Sequence, residues 1–479
     1  MIQELTIKNG RDWHFITNSW ADLADGKLGV IADSPNSSEA GMQGYHFAFY
    51  RRLCLIDCTI RFEFQHNGFS DIGIILRAQN SSNYHLLHFP YIGQANNTQN
   101  LWAALSRMDG SGYLRLVKLE LIRREPANRE IWHTVELRLE GRKLQVRIGK
   151  NGLFEAEDEQ MPLQGFIGLC LFNNGCLRAV TLENTRQSDV IWHDSVMPKV
   201  NWYYPALATQ YRIRQWPDDL IRLHDGTLLI SYMSTIMDND ARSWAASERI
   251  LFSPMPNGAL HFYDQPQFFL NLADSTILFL TYTQQSHDDV KLREWGSLHG
   301  QAYCCRSDDD GHTWSNWTNM DNSARLGVAG QQDNHDLTET CAAQIGDGNI
   351  VMLARPIYSP WMWESWSHDG GLTWGPCMRG PFPGYATSNL LRTTSGKLVL
   401  AHRLPGLTIH TSPDDGRTWD AGTMIDSSIW AMGYMLEIKA DCILYVYRDS
   451  FESLMRAQMF RVTAHGIEPL TSEVNAHDR

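Results

Sequence analysis

No run of about 18 apolar residues occurs in the chain, so no segment reads as a membrane-spanning helix and no membrane partner is expected. Basic residues are also in deficit. Lys and Arg total 41 against 54 Asp and Glu, a net charge of −13. Neutralising a phosphate backbone needs a basic excess, which argues against nucleic acid as the main partner. No CxxC pair with a His partner is present, so neither a zinc site nor any other cofactor is expected. Met1 to Leu5 lack the basic start and apolar stretch of a signal peptide, and the expected compartment is the cytoplasm. The nine cysteines are odd in number, and several lie inside apolar runs, as Cys170 does between Leu169 and Leu171. Buried free thiols are expected rather than a disulfide framework.

What the chain does have is a hydrophobic fraction of 43%, which excludes a disordered polymer. Its 479 residues exceed what one core organises, so two domains are expected. The 36 Gly and 17 Trp suggest tight turns between short strands, with flat aromatic faces available for stacking.

The two halves read differently. From residue 1 to about 190, apolar and polar residues alternate with period two, as in Cys58 to Phe64, Thr134 to Leu139 and Leu144 to Ile148. Gly and Asn punctuate these runs, and no helical pattern interrupts them. Half-buried antiparallel strands closing into a β-sandwich are expected. From about 200 to 479, an apolar strand, a turn and a second apolar strand recur. The turns fall at Asp225-Gly226, Asp274, Asp347-Gly348, Ser395-Gly396 and Asp441, about 50 residues apart with one longer gap. Gly at 226, 348 and 396 suits hairpin turns that need positive φ. A repeat of this length is the size of a four-stranded propeller blade. Five such units are recognisable.

A sharper repeat lies within this half. Ser307 to Trp314, Ser367 to Trp374 and Ser412 to Trp419 share the form Ser-x-Asp-x-Gly-x-Thr-Trp. The carboxylate can accept main-chain N–H bonds, the Gly can take the positive φ, and the Trp can pack into the blade. These aspartates are therefore expected to be structural.

Two resemblances follow from these residues. Phe62 to Phe64, Gly73 to Ala78, Asn83 to Leu86, Trp132 to Leu137 and Gly165 to Leu169 resemble the strand cores of the concanavalin-like jelly roll. That resemblance implies residues 1–190 as a domain that binds sugar or packs on its neighbour. The three repeats resemble the Asp-boxes, or BNR repeats, of the sialidase superfamily. That implies a propeller over 200–479, with six blades expected. The stretch from Glu339 to Arg355 resembles a blade of that superfamily, in which a Glu and an Arg flank an Asp-Gly hairpin at this spacing. There the Glu activates a tyrosine and the Arg binds the substrate carboxylate. By the same resemblance Arg403 is a second carboxylate-binding Arg, although its spacing to the following strand is shifted. Tyr434 is the nucleophile at the start of the last blade. Asp238 or Asp240 is the acid/base.

The first blade departs from the family. Counting back from Asp225-Gly226 puts Trp216 where an Arg is expected. Arg212 or Arg214 serves only after a shift of two to four residues. Otherwise Asp218 or Asp219 points into the site, which suits a different sugar. Trp361, Trp363 and Trp366 offer aromatic faces for a pyranose ring, and His335 and Asp336 could reach the mouth. The leading expectation is an exo-acting glycoside hydrolase that releases a terminal acidic sugar from an oligosaccharide or glycoconjugate. A hydrolase or lyase acting on uronate- or rhamnose-containing glycans is the first alternative. A non-catalytic glycan-binding protein is the second.

Overall fold

A computed structural model describes residues 2–7, 10–16, 20–30, 45–66, 70–94, 98–126, 131–172, 175–194, 219–222, 228–231, 268–286, 298–320, 337–356, 360–383, 389–427, 431–449 and 454–470. The chain is all-β, with a sandwich followed by a propeller-like set of sheets.

The sandwich is organised by one long strand, Tyr45–Gln65. Its first part pairs with Gly165–Phe172, and its second part with His133–Glu140 and Cys176–Ser188. It therefore belongs to both sheets. The period-two pattern of the sequence becomes burial. Cys58, Ile60, Phe62 and Phe64 are buried, while Thr59, Arg61, Glu63 and Gln65 are half-exposed. His133–Glu140 alternates buried and more exposed residues along its length. The inward set packs against Ile72, Ile74, Leu87, Phe89, Leu101 and Leu105 of the facing sheet in one apolar core. Each such side chain contributes about 1.5–3 kcal/mol on burial.

The facing sheet is buried on both sides. Gly165–Phe172 directs Ile167, Leu169 and Leu171 into that core. Phe166, Cys170 and Phe172 enter a second cluster with Tyr45, Phe47, Tyr84, Leu114 and Met424. Met424 belongs to the second half of the chain. The strand that carries it, Thr423–Asp426, pairs with Leu114–Pro126 and continues the sandwich sheet into the propeller-like half. Trp361 meets Trp102 edge to face at 5.3 Å. Tyr113 donates to Gln458 at 3.1 Å, and Gln458 donates to Tyr447, which donates to Asp426. These contacts pack the sandwich against the second half of the chain.

In the second half, five sheets begin with the strands Asp219–Arg222, Phe268–Asn271, Leu337–Gln344, Asn389–Arg392 and Ala431–Lys439. Each of these strands lies beside the next, and the last lies back against the first. The inner strands thus form a ring of five among the described residues. The sixth blade expected from the family has no counterpart there. Positive φ falls on Gly348 and Gly396 at the first hairpin of their sheets, with Ser275 and Asp441 in the corresponding places.

The three Ser-x-Asp-x-Gly-x-Thr-Trp repeats form self-satisfied turns after the third strand of their sheets. Asp309 accepts from the Thr313 amide at 2.8 Å, the Thr313 hydroxyl at 2.6 Å and the Ser307 hydroxyl at 2.8 Å. Asp369 and Asp414 repeat the pattern. These bonds favour the charged carboxylate and bring Asp309 down to about 2. Gly311, Gly371 and Gly416 take φ near 85° (81°, 87° and 86°). All nine cysteines are free and buried, as expected.

Candidate functional site

The strand Leu337–Gln344 pairs with Ile350–Pro356 through a hairpin. Thr338 faces Arg355 and Cys341 faces Leu353, so three steps on one strand oppose two on the other. The extra residue is a β-bulge, and Glu339 within it has φ of 45°. In a regular ladder Glu339 would oppose Ala354 and project away from the face that carries Arg355. The bulge turns its carboxylate to that face. A left-handed conformation at a non-glycine residue costs about 1–3 kcal/mol and persists where surrounding contacts hold it. Here Thr338 anchors the turn by donating to the Arg355 carbonyl at 3.1 Å. Sequence reasoning placed Glu339 before the strand. It lies inside the strand, because the bulge lets pairing continue past it.

Arg355 donates to Glu339 Oε1 at 2.8 Å. Arg403, which directly follows Leu398–His402 of the next sheet, brings its Nη2 to 3.5 Å from Glu339 Oε2. Side-chain exposure rises from 2% at Arg403 to 9% at Glu339 and 16% at Arg355. The open side of the cluster is therefore the Arg355 side. Two guanidinium groups around one carboxylate in low dielectric suit a planar anion, because Arg stays charged and presents a fixed fork.

A buried relay starts at His402, the residue before Arg403. The Leu404 amide donates to His402 Nδ1 at 3.2 Å, which leaves His402 Nε2 to donate to His410 Nε2 at 2.7 Å. His410 Nδ1 then donates to the Asp420 carbonyl at 3.1 Å. Burial pushes the His402 pKa well below its ordinary value, with neighbouring His410 adding to the effect.

A further residue joins this site that the sequence did not single out. Tyr282 lies on Ile277–Ser286 and is 1% exposed. Along that strand Leu278 and Leu280 pack with Leu337 and Cys341, and Tyr282 continues the same face toward Glu339. Burial raises its hydroxyl pKa well above 10. The Glu339 charge acts in the same direction, opposed by Arg355 and Arg403. Its hydroxyl has no hydrogen-bond partner among the described residues, and neither has the Thr340 hydroxyl. Only the alternation of a short strand could have marked Tyr282, and that signal reads as packing.

Tyr434 is buried within Ala431–Lys439, where its main chain pairs with Val446. Trp363 is half-buried against the apolar core of its sheet, and so is Trp366. Trp361 packs on Trp102 and under the Arg379 guanidinium, 4.1 Å from its ring centre. These contacts are packing contacts. Asp219 opens the strand Asp219–Arg222 opposite Ser231. Arg212, Arg214, Trp216, Asp218, Asp238, Asp240, His335 and Asp336 lie outside the described residues.

No protein-family model matches the chain, and no curated protein matches it. Solved structures do align with it. The K499G mutant of NanB sialidase from Streptococcus pneumoniae is 11% identical, with 95% of this chain and 82% of that chain covered and a TM-score of 0.34. The leech intramolecular trans-sialidase complexed with 2,7-anhydro-Neu5Ac is 11% identical, covering 95% and 90%, with a TM-score of 0.33. The carbohydrate binding module CBM66 from Bacillus subtilis is 15% identical, covering 36% of this chain and 96% of that one, with a TM-score of 0.27.

Proposed function

We propose that the chain is an exo-acting glycoside hydrolase that removes a terminal acidic sugar, with its site at Glu339, Arg355 and Arg403. The observation that carries this reading is the buried cluster in which Arg355 holds Glu339 at 2.8 Å and Arg403 faces its other oxygen at 3.5 Å. A sugar carboxylate entering from the Arg355 side meets both guanidinium groups. Tyr434 is the proposed nucleophile and Glu339 the base that activates it. A phenol suits attack at an anomeric carbon that already bears a carboxylate, because a neutral attacking group avoids charge repulsion. Asp238 or Asp240 is the proposed acid/base. The three Asp-turn repeats, each closing its own hydrogen bonds, support membership of the Asp-box propellers. In this reading residues 1–190 are the packing partner and 200–479 the enzyme.

The test is turnover of a panel of fluorogenic glycosides, comprising a sialoside, a uronide and a neutral hexoside. Release from an acidic member, with at least a 100-fold loss in both Glu339→Gln and Tyr434→Phe, is expected. Unimpaired turnover in both variants overturns the mechanism. A product absorbing in the near ultraviolet identifies a lyase instead, and glycan binding without turnover identifies a binding protein.

A further inference from the structure

We propose that Tyr282 is a ligand-binding residue of this site and that its hydroxyl donates a hydrogen bond to the carboxylate of the bound sugar. This rests on the functional reading above. Buried polar groups in folded proteins are nearly always paired, so a buried one without a protein partner needs an explanation. Tyr282 is 1% exposed, and its hydroxyl has no partner among the described residues. It is contributed by the second sheet, whereas Glu339 and Arg355 come from the third and Arg403 from the fourth. Three neighbouring sheets thus converge on one place. The Thr340 hydroxyl, next to Glu339, is likewise buried without a partner among the described residues.

The chemistry favours a donor. Burial and the Glu339 charge both disfavour a phenolate, so the Tyr282 hydroxyl keeps its proton at neutral pH. A neutral O–H in low dielectric is best matched by an anionic acceptor. Arg355 and Arg403 supply positive charge to such an anion while they also hold Glu339. Tyr282 adds a short-range donor that a neutral sugar would not use as well. It therefore bears on specificity for the acid.

The experiment is ligand-observed NMR titration of free N-acetylneuraminic acid and free glucuronic acid. The full chain, Tyr282→Phe and Arg355→Ala are compared, with glucose as the neutral control and circular dichroism as the check on folding. Tyr282→Phe keeps the ring and removes only the hydroxyl. The expected result is binding of an acidic sugar by the native chain, weakened roughly 10- to 100-fold in Tyr282→Phe. Unchanged affinity in Tyr282→Phe beside clear weakening in Arg355→Ala overturns the role of Tyr282 and leaves the site standing. Absence of acidic-sugar binding by the native chain, or equal affinity in all three proteins, overturns the site and Tyr282 together.

Discussion

Two buried arginines, one in each half of the molecule, show what distinguishes the halves. Arg77 of the sandwich is 1% exposed and donates to the carbonyls of Leu55 at 2.7 Å and Gly141 at 2.8 Å. Arg403 is 2% exposed and faces a carboxylate held on a strained bulge. Arg77 spends its Nη1 and Nη2 donors on main-chain carbonyls. Arg403 belongs to a charged group assembled from separate sheets, and the Tyr282 hydroxyl close to it has no partner among the described residues. The same residue type at the same depth reads as architecture in one place and as a site in the other.

The difference can be broken by experiment. The largest effect is expected at Arg403→Met, where turnover of an acidic glycoside should fall on the order of 100- to 1000-fold. Its stability should change less, because Arg355 still holds Glu339. Arg77→Met should do the reverse. A buried carbonyl at Leu55 and a half-buried one at Gly141 lose this donor, and denaturant unfolding should show a loss of about 3 kcal/mol with turnover per folded molecule kept. If Arg77→Met abolishes turnover without unfolding the chain, the division between the halves is wrong.

A smaller effect is expected at Asp369→Ala. It removes the acceptor for the Thr373 amide, the Thr373 hydroxyl and the Ser367 hydroxyl. On an exposed turn this should cost about 1–2 kcal/mol and leave turnover intact. A loss of turnover per folded molecule would make these turns part of the site.

The smallest effect concerns pH. His402 is held neutral by burial, so its pKa is lower in the folded chain than in the unfolded one. Its contribution to stability is present above the unfolded value of about 6.5 and is lost as pH falls below it. Thermal midpoints measured from about pH 8 to about pH 5 should fall on the acid side, and His402→Gln should flatten that fall. An unchanged slope in the variant would remove His402 from the account.

How much of this was legible in the sequence depended on how local each feature is. The Asp-turns close their hydrogen bonds within eight residues, so their pattern survives in the bare sequence. His133–Glu140 shows its burial because period-two alternation maps directly onto a half-buried strand. The pairing of Glu339 with Arg355 was legible because one hairpin carries both. The bulge that aims Glu339 left no mark, since a one-residue insertion changes no residue type. Tyr282 was missed because its meaning comes from packing against a strand more than 50 residues away. The chain from Tyr45 to Asp71 at 2.5 Å, then His88 at 2.5 Å and Ser106 at 2.9 Å, was hidden for the same reason. It is assembled across the sandwich sheet from four separate strands. The tryptophans after Arg355 were legible as a cluster, but their partners, Trp102 among them, were not.

The most direct test of the central claim is a crystal structure of the Glu339→Gln variant with an acidic sugar bound. The account predicts the sugar carboxylate against the guanidinium groups of Arg355 and Arg403, within reach of the Tyr282 hydroxyl. A sugar bound on the sandwich half, or in the ring of sheets away from Arg355, would contradict it.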